Sequence, residues 1–408
     1  MPLYLRTLIG MLLGAIVGFS MGEDAKTFSK PGSVLMSLVQ MLAAPVAFFC
    51  IVHALAGAKI EKGKTAKLIS LLASNTLVAI IIGMLVANVV QPGERRGISE
   101  EDRQKIATEK AAMSDKFAAA EQKPTGVDDK IYQVLEKLPR SVLGPFTDGG
   151  SVIGVIVLAI MLGLALRQVS PNIDATVATV KVFMDAFIAM LHWIVQLVPL
   201  IVFGVVAAEV GANGFSSFFS LLWLVVAVLL ALALQFTYYM TRVALQSWVS
   251  PAALIRGCRD ALTMAFSTAS STATMPVTYA CLIDKVKVSK QSANLGALVG
   301  ANFNNDGTAL YEAMAALFIA QLLGKDLPFA QQLIIVICAV AASVGAAGIP
   351  SAGLLTMTLV LSAVGLPIEY SLLLVPIDWF LDRFRTMINV TGDLCVSCVL
   401  DGKSKPET

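Results

Sequence analysis

The sequence predicts an all-α polytopic membrane protein, and three observations carry that expectation. Of 408 residues, 57% are hydrophobic and only 14% charged, with a mean hydropathy of +0.77; soluble domains of this size are not built that way. Apolar stretches long enough to cross a hydrocarbon core of about 30 Å recur along the chain. Those stretches are continuous, not alternating, which argues against a β-barrel.

In chain order, helices are expected at 4–22, 33–57, 66–90, 149–167, 178–208 and 216–246. The first begins almost at Met1 without a cleavage motif, so it reads as a helix and not a signal peptide. It carries Gly10, Gly14 and Gly18, a stripe that permits close helix or lipid packing. Residues 91–148 form the one polar block, with charges of both signs. They read as an outer loop, with a short helix near Lys130–Leu138 and no site. Further blocks are 1–90, 149–246 and 251–408.

Composition also excludes functions. A formal net charge of +2 without a basic tract gives no footprint for nucleic acid. The six cysteines lie in or beside apolar segments and read as packing residues, the Cys395/Cys398 pair included. His53 and His192 sit in helices without a nucleophile or metal partner, so an enzyme is not expected. Lysines and arginines cluster at 58–67 (Lys59, Lys62, Lys64, Lys67), at Arg256 and Arg259, and at Lys285, Lys287 and Lys290. This asymmetry places both termini in the cytoplasm.

Three interruptions mark the second half. Residues 261–283 are crowded with Ser and Thr around Pro276, and the apolar run 328–366 breaks at SVGAAGIPSAG, 343–353. Each reads as a re-entrant helical hairpin. Broken backbone at membrane depth must face protein or a water-filled cavity, and paired breaks point to a transporter binding site. Between them, GANFNNDGTALYEAM (300–314) interrupts a helix with oxygen-bearing side chains suited to a hard cation.

At 100° per residue, Asp378, Asp382, Arg385, Thr386, Asn389 and Asp393 share one face of the last helix. Ionisable groups in a bilayer cost at least about 2.5–3.5 kcal/mol each. One reading is an internal salt-bridge ladder from Asp378 and Asp382 to Arg385; the other is a binding site.

The segments AFSTASSTATMPVT, NNDGTALYEAMAALFIAQ, SVGAAGIPSAG, VGLP and DWFLDRFRTMINVTGD resemble the dicarboxylate/amino acid:cation symporters, the glutamate transporter family, over essentially the whole chain. The resemblance implies eight transmembrane helices, two re-entrant hairpins, inverted repeats, a homotrimer and an elevator mechanism in the inner (plasma) membrane. The mobile transport domain would comprise helix 66–90 and residues 251–408: hairpin 1 (251–284), the interrupted helix (289–323), hairpin 2 (328–366) and the last helix (369–400).

It further implies that Arg385 meets the substrate side-chain carboxylate, Asp382 and Thr386 the ammonium, and Asn389 the α-carboxylate together with Ser270 and Ser271. Thr308, Ile349, Pro350 and Gly353 would close over the ligand. Arg383, where archaeal relatives instead place an arginine at the position of Ala269, resembles the animal excitatory amino-acid transporters and would brace the site. Both Asp382 and Arg385 being present, acidic amino acids are the implied substrate, aspartate and glutamate undistinguished.

Sodium ions, and no other cofactor, are implied at one site formed by Asn304, Asn389, Asp393 and Gly300. A second would involve Asp306, Asn305, Asn302, Thr76, Asn75 and Ser343. The second departs from the family pattern through Leu72, Asn75, Asn302 and Asn305, which leaves proton coupling, fewer sodium ions, sodium-independent binding or exchange, and unchanged coupling all open.

Overall fold

A computed structural model describes residues 3–57, 65–94, 141–146, 152–169, 173–325, 327–345 and 352–404, and all regular structure among them is helical. The expected helix near Lys130–Leu138, Lys59, Lys62 and Lys64, the tip residues Ile349 and Pro350, and the side chains of Asn302 and Ser343 lie outside the described residues.

The first half comprises α1 (Leu3–Met21), a 3-10 turn (Gly22–Ser29), α2 (Lys30–Gly57), α3 (Thr65–Val90), α4 (Val152–Val169), α5 (Ile173–Val195), α6 (Val198–Asn213) and α7 (Ser216–Gln246). Among the described residues, four segments are long and apolar enough to span a membrane: Leu5–Ser29, Lys67–Val90, Ile173–Ile194 and Phe219–Gln246. The glycine stripe of α1 lies against the backbone of α6. A Cβ on Gly10, Gly14 or Gly18 would stand 2.4 Å from the carbonyl oxygen of Pro199, Phe203 or Ala207 respectively. The outer face of α1 leaves Leu12, Ile16 and Phe19 exposed, a surface for lipid or another apolar partner.

The single helix expected at 178–208 is two helices, broken by a turn at Gln196–Leu197. Pro199 sits in the first turn of α6. Its ring has no N–H to donate and clashes with the carbonyl four residues back, so α5 cannot run through it. Apolar composition on both sides hides this stop.

The second half contains α8 (Pro251–Gly257), α9 (Arg259–Thr268), α10 (Ser271–Ala280) with a π-helical turn (Cys281–Val286), and α11 (Lys290–Ala293) with a second π-helical segment (Asn294–Val299). Then come α12 (Gly300–Phe303), α13 (Asp306–Leu322), α14 (Phe329–Gly345), α15 (Ala352–Ala363), a 3-10 turn (Ile368–Leu374) and α16 (Val375–Asp401). The last helix therefore starts at Val375 rather than 369; Pro376 lies in its first turn, where a missing N–H costs least.

The arms α9 and α10 pack on each other and on α16, and α14 packs on α15. Ala269 turns the first hairpin in the left-handed region at φ 50°. Ser270 then caps α10 by accepting from the Ala273 N–H at 3.1 Å. The main core joins α3, α7, α9, α13, α14, α15 and α16. Smaller clusters bury α2 against α4 and α5, and α6 against the start of α16.

Candidate functional site

The polar face of α16 is turned wholly inward: Asp378, Asp382, Arg385, Thr386, Asn389 and Asp393 are all buried. The guanidinium of Arg385 is completely enclosed. Its Nη2 lies 2.8 Å from Asp382 Oδ1 and 2.9 Å from Asp378 Oδ1, and the group stacks on the Tyr311 ring at 4.1 Å. The ladder therefore exists, but it uses one nitrogen. Nε and Nη1 of Arg385 are buried without a hydrogen-bond partner. A buried donor left unpaired costs about 1–3 kcal/mol, more when charged, so the pocket is incomplete without an acceptor. Gly353, at the start of α15, borders this pair; a Cβ there would stand 2.9 Å from Nη1.

One turn further on, the break at Asn304–Asn305 meets α16. Asn304 donates from Nδ2 to Asp393 Oδ1 at 3.1 Å and to the Asn389 carbonyl at 3.3 Å. Its own Oδ1 is buried and unpartnered. Gly300 lies close enough that a Cβ would stand 2.6 Å from Asp393 Oδ1. Asn389 accepts from the Gly307 N–H at 2.8 Å and donates to Asn305 Oδ1 (3.3 Å) and Thr308 Oγ1 (3.4 Å). The result is an enclosed set of oxygens with spare acceptor capacity, the donor chemistry of a hard cation.

Asp306 is different. Its Oδ1 accepts from Thr76 at 2.6 Å and its Oδ2 from the Tyr239 hydroxyl at 2.5 Å. Asn75 is buried, and its Oδ1 accepts from Arg242 Nη1. The same Nη1 reaches Ser74 Oγ at 2.9 Å and the Tyr238 hydroxyl at 3.0 Å.

Of the remaining expected residues, Ser271 donates to the Ala301 carbonyl at 3.3 Å, which joins hairpin 1 to the interrupted helix. Arg383 donates from Nη1 to the carbonyls of Phe266 and Ser267, both at 2.9 Å, at the end of α9. The sequence places Asp378 on the polar stripe but not among the binding residues, and Tyr239 and Arg242 are not singled out there. The α7 residues carried a signal: Gln235, Tyr239 and Arg242 recur at spacings of four and three inside an apolar helix.

Broken helices converging on buried charges inside an apolar helical body are consistent with a membrane transporter. The sequence model of the Sodium:dicarboxylate symporter family matches residues 3–403, and the chain belongs to that family. Similar proteins include Excitatory amino acid transporter 3 of Oryctolagus cuniculus, 30% identical over 450 aligned residues covering 99% of this chain and 86% of the relative. Excitatory amino acid transporter 1 of Ambystoma tigrinum is also 30% identical, covering 99% and 83%. An excitatory amino acid transporter of Caenorhabditis elegans is 29% identical, covering 96% and 85%.

Proposed function

We propose that the protein is a secondary active symporter that imports acidic amino acids, aspartate or glutamate, on a cation gradient. The single observation that carries this reading is the Arg385 guanidinium, fully buried with Nε and Nη1 free. A guanidinium is a permanent charge with a fork that matches a carboxylate. Asp382, one turn away on the same face, would take the ammonium, with Thr386 beside it. Asn389, Ser270, Ser271 and Thr308 would complete the amino-acid end, and Ile349, Pro350 and Gly353 the cover. The names of the relatives support the same substrate class.

Sodium is the coupling ion that the family description supports, and Asn304, Asn389, Asp393 and the Gly300 carbonyl would receive it. A proton is the second candidate. Glu312 on α13, fully buried with both carboxylate oxygens lacking a hydrogen-bond partner, would carry it. Transport would follow an elevator motion within a homotrimer, with α3, α7 and residues 251–408 in or against the moving body.

Uptake of labelled aspartate into proteoliposomes, with sodium and proton gradients imposed separately, tests the reading. Accumulation against a concentration gradient is the expected result. Counterflow without accumulation would establish an exchanger instead, and a substrate-gated anion current without uptake a channel-like member. If Glu312 carries the proton, Glu312→Gln removes the pH dependence of uptake.

A further inference from the structure

The family resemblance assigns Asp306 to a second cation site. The residues around it fit that role poorly, for three separate reasons. Both carboxylate oxygens already accept a short hydroxyl hydrogen bond, from Thr76 and from Tyr239. The side-chain oxygen of Asn75, on the α3 face where a cation ligand is expected, is bound by a guanidinium nitrogen. The remaining Asn75 polar atom, Nδ2, is a buried donor without a partner. A cation needs several oxygens with free lone pairs. Here one of the oxygens is held by a positive charge, and the other polar atom of the same side chain is a buried N–H donor.

We propose that the Asp306 pocket takes up no transported cation, and that Arg242 is a built-in positive charge standing in for one. The guanidinium is held on α7 by Asn75, Ser74 and Tyr238, and it also stands over the Tyr238 ring at 5.7 Å. Unlike a dissolved ion it cannot leave, because arginine does not lose its proton in proteins and its chain is anchored in the helix. Tyr239, three residues before Arg242 on the same helix, donates its hydroxyl hydrogen to the carboxylate at 2.5 Å. Gln235, one turn earlier, donates to the Asn75 carbonyl at 3.4 Å and keeps that stretch of α3 in register. The consequence is fewer coupled sodium ions, with Arg242 as the residue that determines the count. The inference rests on the symporter reading above but concerns the ion count alone.

The test is the slope of log aspartate affinity against log sodium concentration, measured by calorimetry on purified wild type, Asp306→Asn and Arg242→Gln. Linkage makes that slope the number of sodium ions taken up with the substrate. The expected result is equal slopes for wild type and Asp306→Asn, and a slope steeper by about one in Arg242→Gln, where Asn75 and Asp306 become available to a cation. A slope shallower by about one in Asp306→Asn, or an unchanged slope in Arg242→Gln, overturns the proposal. If Asp306→Asn does not yield folded protein, Arg242→Gln decides alone. Thermal unfolding in sodium chloride against choline chloride, without amino acid, gives an independent reading: sodium should stabilise Arg242→Gln more than wild type. Equal stabilisation counts against the assignment. Absence of aspartate binding at every sodium concentration would overturn the substrate reading instead, while the sodium-only measurement would still test Arg242.

Discussion

Two aspartates, Asp393 and Asp306, flank the same helix break and are equally buried, yet their surroundings are opposite. Asp393 is met by one amide donor, and the oxygen of that amide is left without a partner. Asp306 is met by two hydroxyls, with a guanidinium bound one residue from Thr76. Burial alone therefore does not make a cation site. The difference lies in whether neighbouring groups present lone pairs or hydrogens. Gly392 on α16 separates the two: a Cβ there would stand 2.2 Å from Asn304 Nδ2 and 2.9 Å from the Tyr239 hydroxyl. The pockets share a wall with no side chain, so their contrast is set by residue choice and not by distance.

That comparison can be pressed hardest at the charge above both pockets. Arg385→Ala leaves Asp378 and Asp382 buried without a counter-charge. Truncating one partner of a buried, hydrogen-bonded charge pair in a complex costs about 2–5 kcal/mol, so aspartate affinity should fall at least about 30-fold. Calorimetry checks this; retained affinity would remove Arg385 from the site. Next in size, Asp393→Asn should lower the sodium slope of aspartate binding by about one. The same slope as wild type would make the two pockets alike.

Tyr239→Phe acts on the closed pocket. It deletes one of the two donors to Asp306 and should destabilise the protein by about 1–3 kcal/mol, seen in thermal unfolding, with the sodium slope preserved. A changed slope would show that the Asp306 pocket is not closed.

The smallest effect belongs to a pair outside the apolar body. Lys285 donates to Asp260 at 2.6 Å, with both side chains largely exposed. That hydrogen bond, and then the Lys285 charge, holds the Asp260 carboxyl below its ordinary value. A depressed carboxyl contributes stability that is present above its unfolded value and is lost as pH falls through its folded one. The contribution is thus complete at neutral pH and fades only below about pH 4. Solvent screening keeps it small, so Asp260→Asn should leave the unfolding temperature at pH 7 unchanged within error. A clear drop would mean that exposed charge matters here as much as buried charge.

Much of this architecture is legible in the residues. The period of the polar stripe from Asp378 to Asp393 is helical, and the stripe is buried because its charges find partners on α13 and within α16 itself. The glycines of α1 announce a close backbone contact, and the Ser/Thr-rich break announces its turn at Ala269. The surroundings of Asp306 are harder to see. Tyr239 and Arg242 sit in a helix whose apolar content reads as a plain membrane span, and only a search for a polar face of period 3.6 separates them from it. Likewise the stop between α5 and α6 rests on one proline inside continuous apolar sequence. In both cases average hydropathy hides a single residue whose geometry decides.

Arg383 leaves a practical consequence. It satisfies two carbonyls at the end of α9, groups that a helix terminus otherwise leaves open. The first hairpin is thereby riveted to α16. Loosening that rivet with Arg383→Lys would alter how quickly a solute enters and leaves more than how tightly it is held. The residue is in effect an adjustable fastening between the hairpin and the last helix.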